Sequence, residues 1–298
     1  MRKLKTLAYW FILPAALAML FVHILPMTWG ILISFKKLDI FTIRNWISAP
    51  WIGFQNYING FNPVTTVGQR YISSLWNVLY YGVVTILGGF VLSLIAALLL
   101  NRDFFGRTLV RGLILIPYIT PDAVAFSFWR FMFQNRIGII NETLQNLGII
   151  QDRVMWLVGS NSLYAVMIAA MWKGWPFGAL MLLAGLQTIP REMYEAAMID
   201  GASVWQRFRY ITMAYLSPVI KTMMIMNILW NFHAYNQFVT LLGSDPGKYA
   251  EVPNTLIMRQ TFSFFKYGIG SALSVSLMVI MLVITLLYLY IFRIRAEE

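Results

Sequence analysis

Residues 74–100 read SLWNVLYYGVVTILGGFVLSLIAALLL, with no charged side chain. A helix rises about 1.5 Å per residue, so this stretch can cross the roughly 30 Å hydrocarbon layer of a bilayer with some tilt. Backbone groups in lipid must be bonded internally, and a helix achieves that within one segment. Comparable apolar runs recur on both sides, at roughly 8–34, 110–133, 161–186, 217–242 and 268–292. Together they predict an all-α integral membrane protein with six transmembrane helices, one transmembrane domain over residues 1–298.

Composition supports the same reading. Hydrophobic residues make up 59% of the 298 residues and charged residues 12%, against roughly 45–50% and 25% in soluble domains. With no cysteine, a disulfide framework, a cysteine nucleophile and a Cys-based metal site are excluded. The two histidines, His23 and His233, stand too far apart in sequence to suggest a His-rich metal site. The net charge of +11 is spread thinly. It points to membrane topology and not to nucleic acid.

The first run follows Arg2, Lys3 and Lys5, as a signal peptide would. Its apolar stretch outruns the roughly 7–15 residues of a signal core and ends without a small-residue cleavage site, so it reads as a span. Six spans put both termini on one side. If that side is the cytoplasm, the inside segments carry 12 Lys and Arg in 59 residues and the outside segments 10 in 94. That is the positive-inside direction. The long outside loops hold Trp46, Trp51, Tyr57 and Trp156, which read mainly as interfacial anchors and leave room for short surface helices.

Motifs for chemistry are missing. Gly243-Ser-Asp-Pro-Gly247-Lys248-Tyr249 is the nearest approach to a P-loop. It has three residues between the glycines instead of four, and a tyrosine where the Mg²⁺-binding hydroxyl belongs. There is no HExxH motif, no acidic calcium loop, and no dinucleotide fingerprint after a strand. The sequon Asn141-Glu142-Thr143 has a common pattern and is given no weight. An enzyme acting alone is not expected.

The inside loop 187–217 is long and mixed in charge, yet it reads as ordered helix. Pro190 suits a first helical position and Glu192 suits the positive end of the helix dipole. Tyr194, Ala197 and Met198 share a face. Gly201 is placed for a left-handed cap, and Ser203 with Gln206 has capping-box spacing, so a second helix starts there.

The stretch Glu195-Ala196-Ala197-Met198-Ile199-Asp200-Gly201-Ala202, followed by Trp205, Phe208 and Ile211, resembles the EAA loop of permease subunits in bacterial binding-protein-dependent ABC importers. Trp172-Lys173-Gly174-Trp175-Pro176-Phe177, Leu186-Gln187-Thr188-Ile189-Pro190 and Ile52-Gly53-Phe54-Gln55-Asn56-Tyr57 extend the likeness to the carbohydrate-type branch. That branch takes in the maltose and glycerol-phosphate permeases. The family often has proline at the position of Ala214 as well as at Pro218, so the loop's exit is expected to kink less here.

The resemblance implies a type I importer permease fold in the bacterial inner membrane. It implies a second permease, usually a different homologous chain, an ABC ATPase dimer and an extracytoplasmic sugar-binding protein. No cofactor is implied in this chain, since ATP and Mg²⁺ belong to the ATPase. The loop becomes a coupling helix: Tyr194, Ala197 and Met198 supply apolar contact, Glu195 a charged one, and Asp200-Gly201 the turn. Sugar is expected near the bilayer midplane, between the two permeases.

Polar residues inside spans are the natural pathway candidates, because unpaired polar groups in lipid are costly. On span five, Asn227, Trp230, Asn231, Ala234 and Gln237 fall on one face of a 3.6-residue period. Amides suit sugar hydroxyls and a flat ring suits sugar C–H faces, while helix–helix glue is the alternative for each amide. Lys173 in span four and Asp122 in span three are opposite charges at similar depth and are expected to pair, unless Lys173 meets substrate directly. Gly82, Gly88 and Gly89 read as close helix packing. A different class, a stand-alone ion-coupled transporter or channel, needs intramembrane carboxylates, and Asp122 is the one well inside a span.

Overall fold

The computed structural model describes residues 2–292, with side chains from Trp10 onward. Arg293 and Arg295, counted above for topology, lie outside the described residues, as do the side chains of Arg2, Lys3 and Lys5.

The helices in order are α1 (Arg2–Met19), α2 (Leu25–Ser34), α3 (Gln55–Phe61), α4 (Thr66–Leu100), α5 (Arg107–Ile114), α6 (Ile116–Ile119), α7 (Asp122–Met132), α8 (Ile139–Asn146), α9 (Ser162–Gln187), α10 (Arg191–Ile199), α11 (Val204–Arg207), α12 (Met213–Phe232), α13 (Asn236–Leu242), α14 (Pro253–Met258) and α15 (Tyr267–Ile291). Among the described residues, pairing of extended backbone is confined to one isolated bridge, Lys36 to Trp51. Among the described residues five helical stretches are long and apolar enough to cross a membrane, and six if the bent pair Arg107–Ile119 and Asp122–Met132 counts as one. Span three is therefore not the single straight helix that its sequence suggests. It breaks by 89°, where Thr120 turns extended before Pro121. Proline disfavours helical backbone in the residue before it and removes an N–H, which accounts for the break.

Chain contacts group into two compact units, Met1–Ile72 with Leu256–Ile280, and Ser73–Thr255 with Met281–Glu298. In the first, the segment after α2 is tied down by polar bonds. Asn56 Nδ2 donates to the carbonyls of Ser34 and Lys36, at 2.8 and 2.9 Å. Lys36 Nζ donates to Trp46 O and Ile47 O, at 3.2 and 2.7 Å, with the Trp51 ring 5.4 Å away. Tyr57 bonds the Ser34 hydroxyl at 2.6 Å. These aromatics thus help to build an ordered loop in addition to any anchoring, and α3 is one of the short helices the loop had room for.

In the second unit α4, α9 and α12 pack tightly. Their core holds Ala97, Leu100, Leu182, Leu186, Leu216 and Met223. Close approach needs small residues. A Cβ on Gly88 would lie 2.5 Å from Met171 Sδ, so Gly88 is a packing glycine. Gly89 meets nothing within 4 Å, and Gly82 only Asn231 Cβ at 3.8 Å; the packing expectation is met at Gly88 and not at Gly89.

Span five also departs from its expected length. The helix ends at Phe232 and resumes at Asn236 as α13. Asn254 Nδ2 donates to Phe232 O at 2.7 Å, satisfying a carbonyl that the break leaves without its helical partner.

Candidate functional site

The two helix breaks meet a cavity of about 580 Å³ within the second unit. Helical residues near the breaks line it, Tyr118 and Asp122 at one and Asn231 and Gln237 at the other. α4, α6, α7, α9, α12 and α13 all contribute walls. Asn227, Trp230, Asn231, Gln237 and Lys173 line this one cavity, Gln237 from α13 and not from a continuous span five.

The amides differ in what they have free. Asn231 accepts from Thr85 Oγ1 at 3.0 Å and donates to Asn227 O at 2.7 Å. It bridges α4 and α12, so its side chain acts mainly as interhelical glue. Asn227 Nδ2 donates to Met223 O at 2.8 Å, and Gln237 Nε2 donates to Tyr81 Oη at 3.1 Å. Among the described residues the carbonyl oxygens of these two side chains have no protein partner. Each amide can therefore accept from a ligand hydroxyl and still donate one N–H.

One wall is aromatic. Tyr118 stacks on Phe177 with centroids 5.2 Å apart, and Phe177 meets Trp230 at 5.6 Å. Trp230 is 49% exposed, which leaves a ring face for contact. Sequence reasoning singled out Trp230 and missed Phe177, Tyr118, Tyr81 and Thr85. For Tyr81 and Thr85 the available signal was two polar groups one helical turn apart inside the most apolar run.

Lys173 Nζ lies 3.1 Å from Asp122 Oδ1 and 2.6 Å from Thr120 O. Tyr118 O and Pro117 O are also in reach, at 3.4 and 3.5 Å. The expected pair forms. Its context is a helix break, however, not the middle of two straight spans: the ammonium sits at the negative end of α6 and the carboxylate at the positive start of α7, the favourable sign at both. The lysine side chain is 15% exposed and the aspartate 49%.

The loop 187–217 carries the local structure its sequence demands. Gly201 has φ +76°. Ala202 N donates to Ala197 O at 2.8 Å and Gly201 N to Met198 O at 3.1 Å, the two bonds of a Schellman cap. Ser203 and Gln206 form both bonds of a capping box. Pro190 is the N-cap and Arg191 the first helical residue, one place later than expected. From Val204 to Phe232 the chain runs as one helical stretch past Ala214, in keeping with the missing proline there.

The predicted contact face divides. Tyr194 and Ala197 pack on the chain's own core, and the Tyr194 hydroxyl pairs with Thr212 Oγ1 at 2.9 Å. Tyr194 and Ala197 are therefore shared between the core and the surface, since both remain partly exposed. Glu195, Met198, Ile199, Asp200 and Gly201 are exposed, Ile199 by 88%, and Val204 beyond the turn by 75%.

A multi-span helical chain with a cavity at broken helices and an ordered surface loop is a transport-protein architecture. Residues 89–295 match the family described as "Binding-protein-dependent transport system inner membrane component". The chain is 33% identical over 270 residues to the trehalose/maltose transport system permease protein MalF of Thermococcus litoralis, covering 90% of this chain and 88% of that one. It is 31% identical over 273 residues to the sulfoquinovosyl glycerol transport system permease protein SmoG of Agrobacterium fabrum, covering 91% and 85%. Among solved structures, a chain of a bacterial ABC transporter that imports the acidic polysaccharide alginate superposes with a TM-score of 0.81 at 24% identity, covering 99% and 98%. The chain belongs to the family of binding-protein-dependent transport system inner membrane components, the permeases of ABC importers, and it has their fold. It is a multi-pass inner-membrane permease.

Proposed function

We propose that this chain is the membrane-spanning permease subunit of an ATP-driven importer for a sugar or oligosaccharide delivered by an extracytoplasmic binding protein. The cavity carries the reading. Amide groups of Asn227 and Gln237 share the cavity with the Tyr118–Phe177–Trp230 row, which offers a ring in a ligand both hydroxyl partners and flat apolar surface. The sugar permeases among its relatives support that assignment.

The working unit is proposed to be a single transmembrane domain with both termini cytoplasmic, paired with a second, homologous permease. ATP is bound with Mg²⁺ and hydrolysed on a separate ATPase dimer. The exposed loop surface of Glu195, Met198, Ile199, Asp200 and Gly201 docks there, with Val204 extending it. Tyr194 and Ala197 fix the loop from behind. An ion-coupled mechanism is not favoured, because Asp122 is held by Lys173.

The test is co-purification followed by reconstitution. The tagged chain is expected to bring down a nucleotide-binding subunit, and sugar-loaded binding protein is expected to stimulate ATPase activity in proteoliposomes. A chain that transports without any nucleotide-binding subunit would overturn the reading.

A further inference from the structure

We propose that the cavity of this permease selects uncharged sugars and disfavours uronates, sulfonates and sugar phosphates. The inference rests on the sugar reading above and narrows it. Among the described lining residues, Asp122 and Lys173 carry the charges. The strongest contacts to an anion come from a cation with donors to spare. The Lys173 ammonium has three N–H groups. They face a carboxylate oxygen at 3.1 Å, the Thr120 carbonyl at 2.6 Å and two further carbonyls of the same helix end. Freeing the ammonium for a ligand would strip the α6 end of its counter-charge and leave Asp122 unpaired.

Exposure points the same way. Lys173 is 15% exposed and Asp122 49%, so the open member of the pair is the acid. An anion approaching this wall meets a carboxylate first. The remaining lining polar groups, the amides and hydroxyls of Asn227, Gln237, Tyr81 and Ser93 among them, are neutral and suit hydroxyl-rich ligands.

The experiment uses the assembled importer with its own binding protein in proteoliposomes. The probes are maltose and trehalose as neutral sugars, and a digalacturonate and glucose 6-phosphate as anionic ones, each also offered to a complex carrying Asp122→Asn. Wild type is expected to import a neutral probe and to move either anionic probe at least about tenfold more slowly, the factor one missing charge-assisted bond represents. Asp122→Asn is expected to narrow that gap by releasing Lys173. Import of an anionic probe by wild type at a rate comparable with the neutral ones overturns this inference and leaves the sugar reading standing. Import of a non-sugar solute with no sugar moved brings down the sugar reading itself, and this inference with it. If Asp122→Asn fails to assemble, the wild-type comparison alone decides.

Discussion

Lys173 and Asp122 meet at 3.1 Å across a break in span three, and the same ammonium holds the Thr120 carbonyl at 2.6 Å. One side chain thus joins the end of α6 to the start of α7. The pair is half-open on the aspartate side, so its loss costs less than the roughly 3–5 kcal/mol of a fully buried pair. Lys173→Met and Asp122→Asn are each expected to cost about 1–3 kcal/mol, read as lost thermal stability or lost assembly in detergent. The double change is expected to cost less than the sum, because the second neutralisation removes a charge the first left unpaired. Strictly additive losses would show that the two groups act independently.

Within the cavity, Trp230 and Asn231 are neighbours with different work. Trp230 ends the aromatic row and is half exposed, whereas Asn231 is engaged with Thr85 and with the Asn227 carbonyl. Trp230→Ala is expected to lower sugar uptake while assembly and ATPase docking stay intact. Asn231→Ala is expected to cost stability first, about 0.6 kcal/mol and at most about 1.7 as for other interhelical hydrogen bonds in membranes. Uptake and melting temperature measured on both variants separate the roles. Normal uptake with Trp230→Ala would remove the aromatic wall from the pathway.

Among the described residues the Asn227 and Gln237 amides have carbonyl oxygens without protein partners, so Asn227→Ala and Gln237→Ala are expected to raise the KM for sugar more than they disturb folding. A site built to bond hydroxyls loses on the order of tenfold or more in affinity when a partner group is removed, because ligand hydroxyls are left unpaired. Equal loss of uptake and of assembled complex would instead mark both residues as structural.

The six apolar runs were plain in the sequence because the bilayer imposes length and internal bonding on each. The loop was equally plain, since caps are local: Gly201, Ser203 and Gln206 carry their signals within a few residues. The break within span five was not legible. Residues 233–235 contain neither proline nor glycine, and the group that satisfies the end of α12 is Asn254, which no local pattern connects to it. Gln237 was consequently placed on a face that does not continue, although the fold returns it to the same cavity. The break at Pro121 had a visible cause, yet apolar content outweighed it in the reading. Periodicity placed Tyr194, Ala197 and Met198 on one face, and the family resemblance made that face a contact surface. Which part of that face the chain's own core covers depends on tertiary packing against residues such as Ile211 and Leu216.

Gly88 and Gly89 are adjacent and alike in sequence, but only Gly88 meets a neighbour. A side chain at Gly88 collides with Met171, whereas Gly89 faces open cavity. Gly88→Val is expected to displace the Met171 thioether, a movable side-chain end, and to cost at most about 1–3 kcal/mol as overpacking does. Gly89→Ala is expected to leave folding unchanged. Purification yield and melting temperature of the two variants test this, and equal behaviour would sink the packing role of Gly88.

The loop 187–217, proposed to dock the ATPase, offers the sharpest division between folding and function. Gly201 sits at φ +76° with nothing within 4 Å of where its Cβ would be. Space is therefore not the obstacle to a side chain there; backbone conformation is. A β-branched residue at positive φ is strained by about 1–3 kcal/mol, and relief would unwind the cap and move Ile199 and Val204. Gly201→Val is expected to insert normally and to lose ATPase association or uptake. Gly201→Asn is expected to keep most of both, since asparagine tolerates the left-handed region. Glu195→Lys and Ile199→Asp, on the exposed side, are expected to weaken ATPase capture without altering the melting temperature. Tyr194→Phe is expected to cost about 1 kcal/mol by losing the bond to Thr212 while ATPase capture persists. Retained ATPase capture in both Gly201→Val and Ile199→Asp would show that docking occurs elsewhere. Loss of capture in Tyr194→Phe without loss of stability would move Tyr194 back to the contact face.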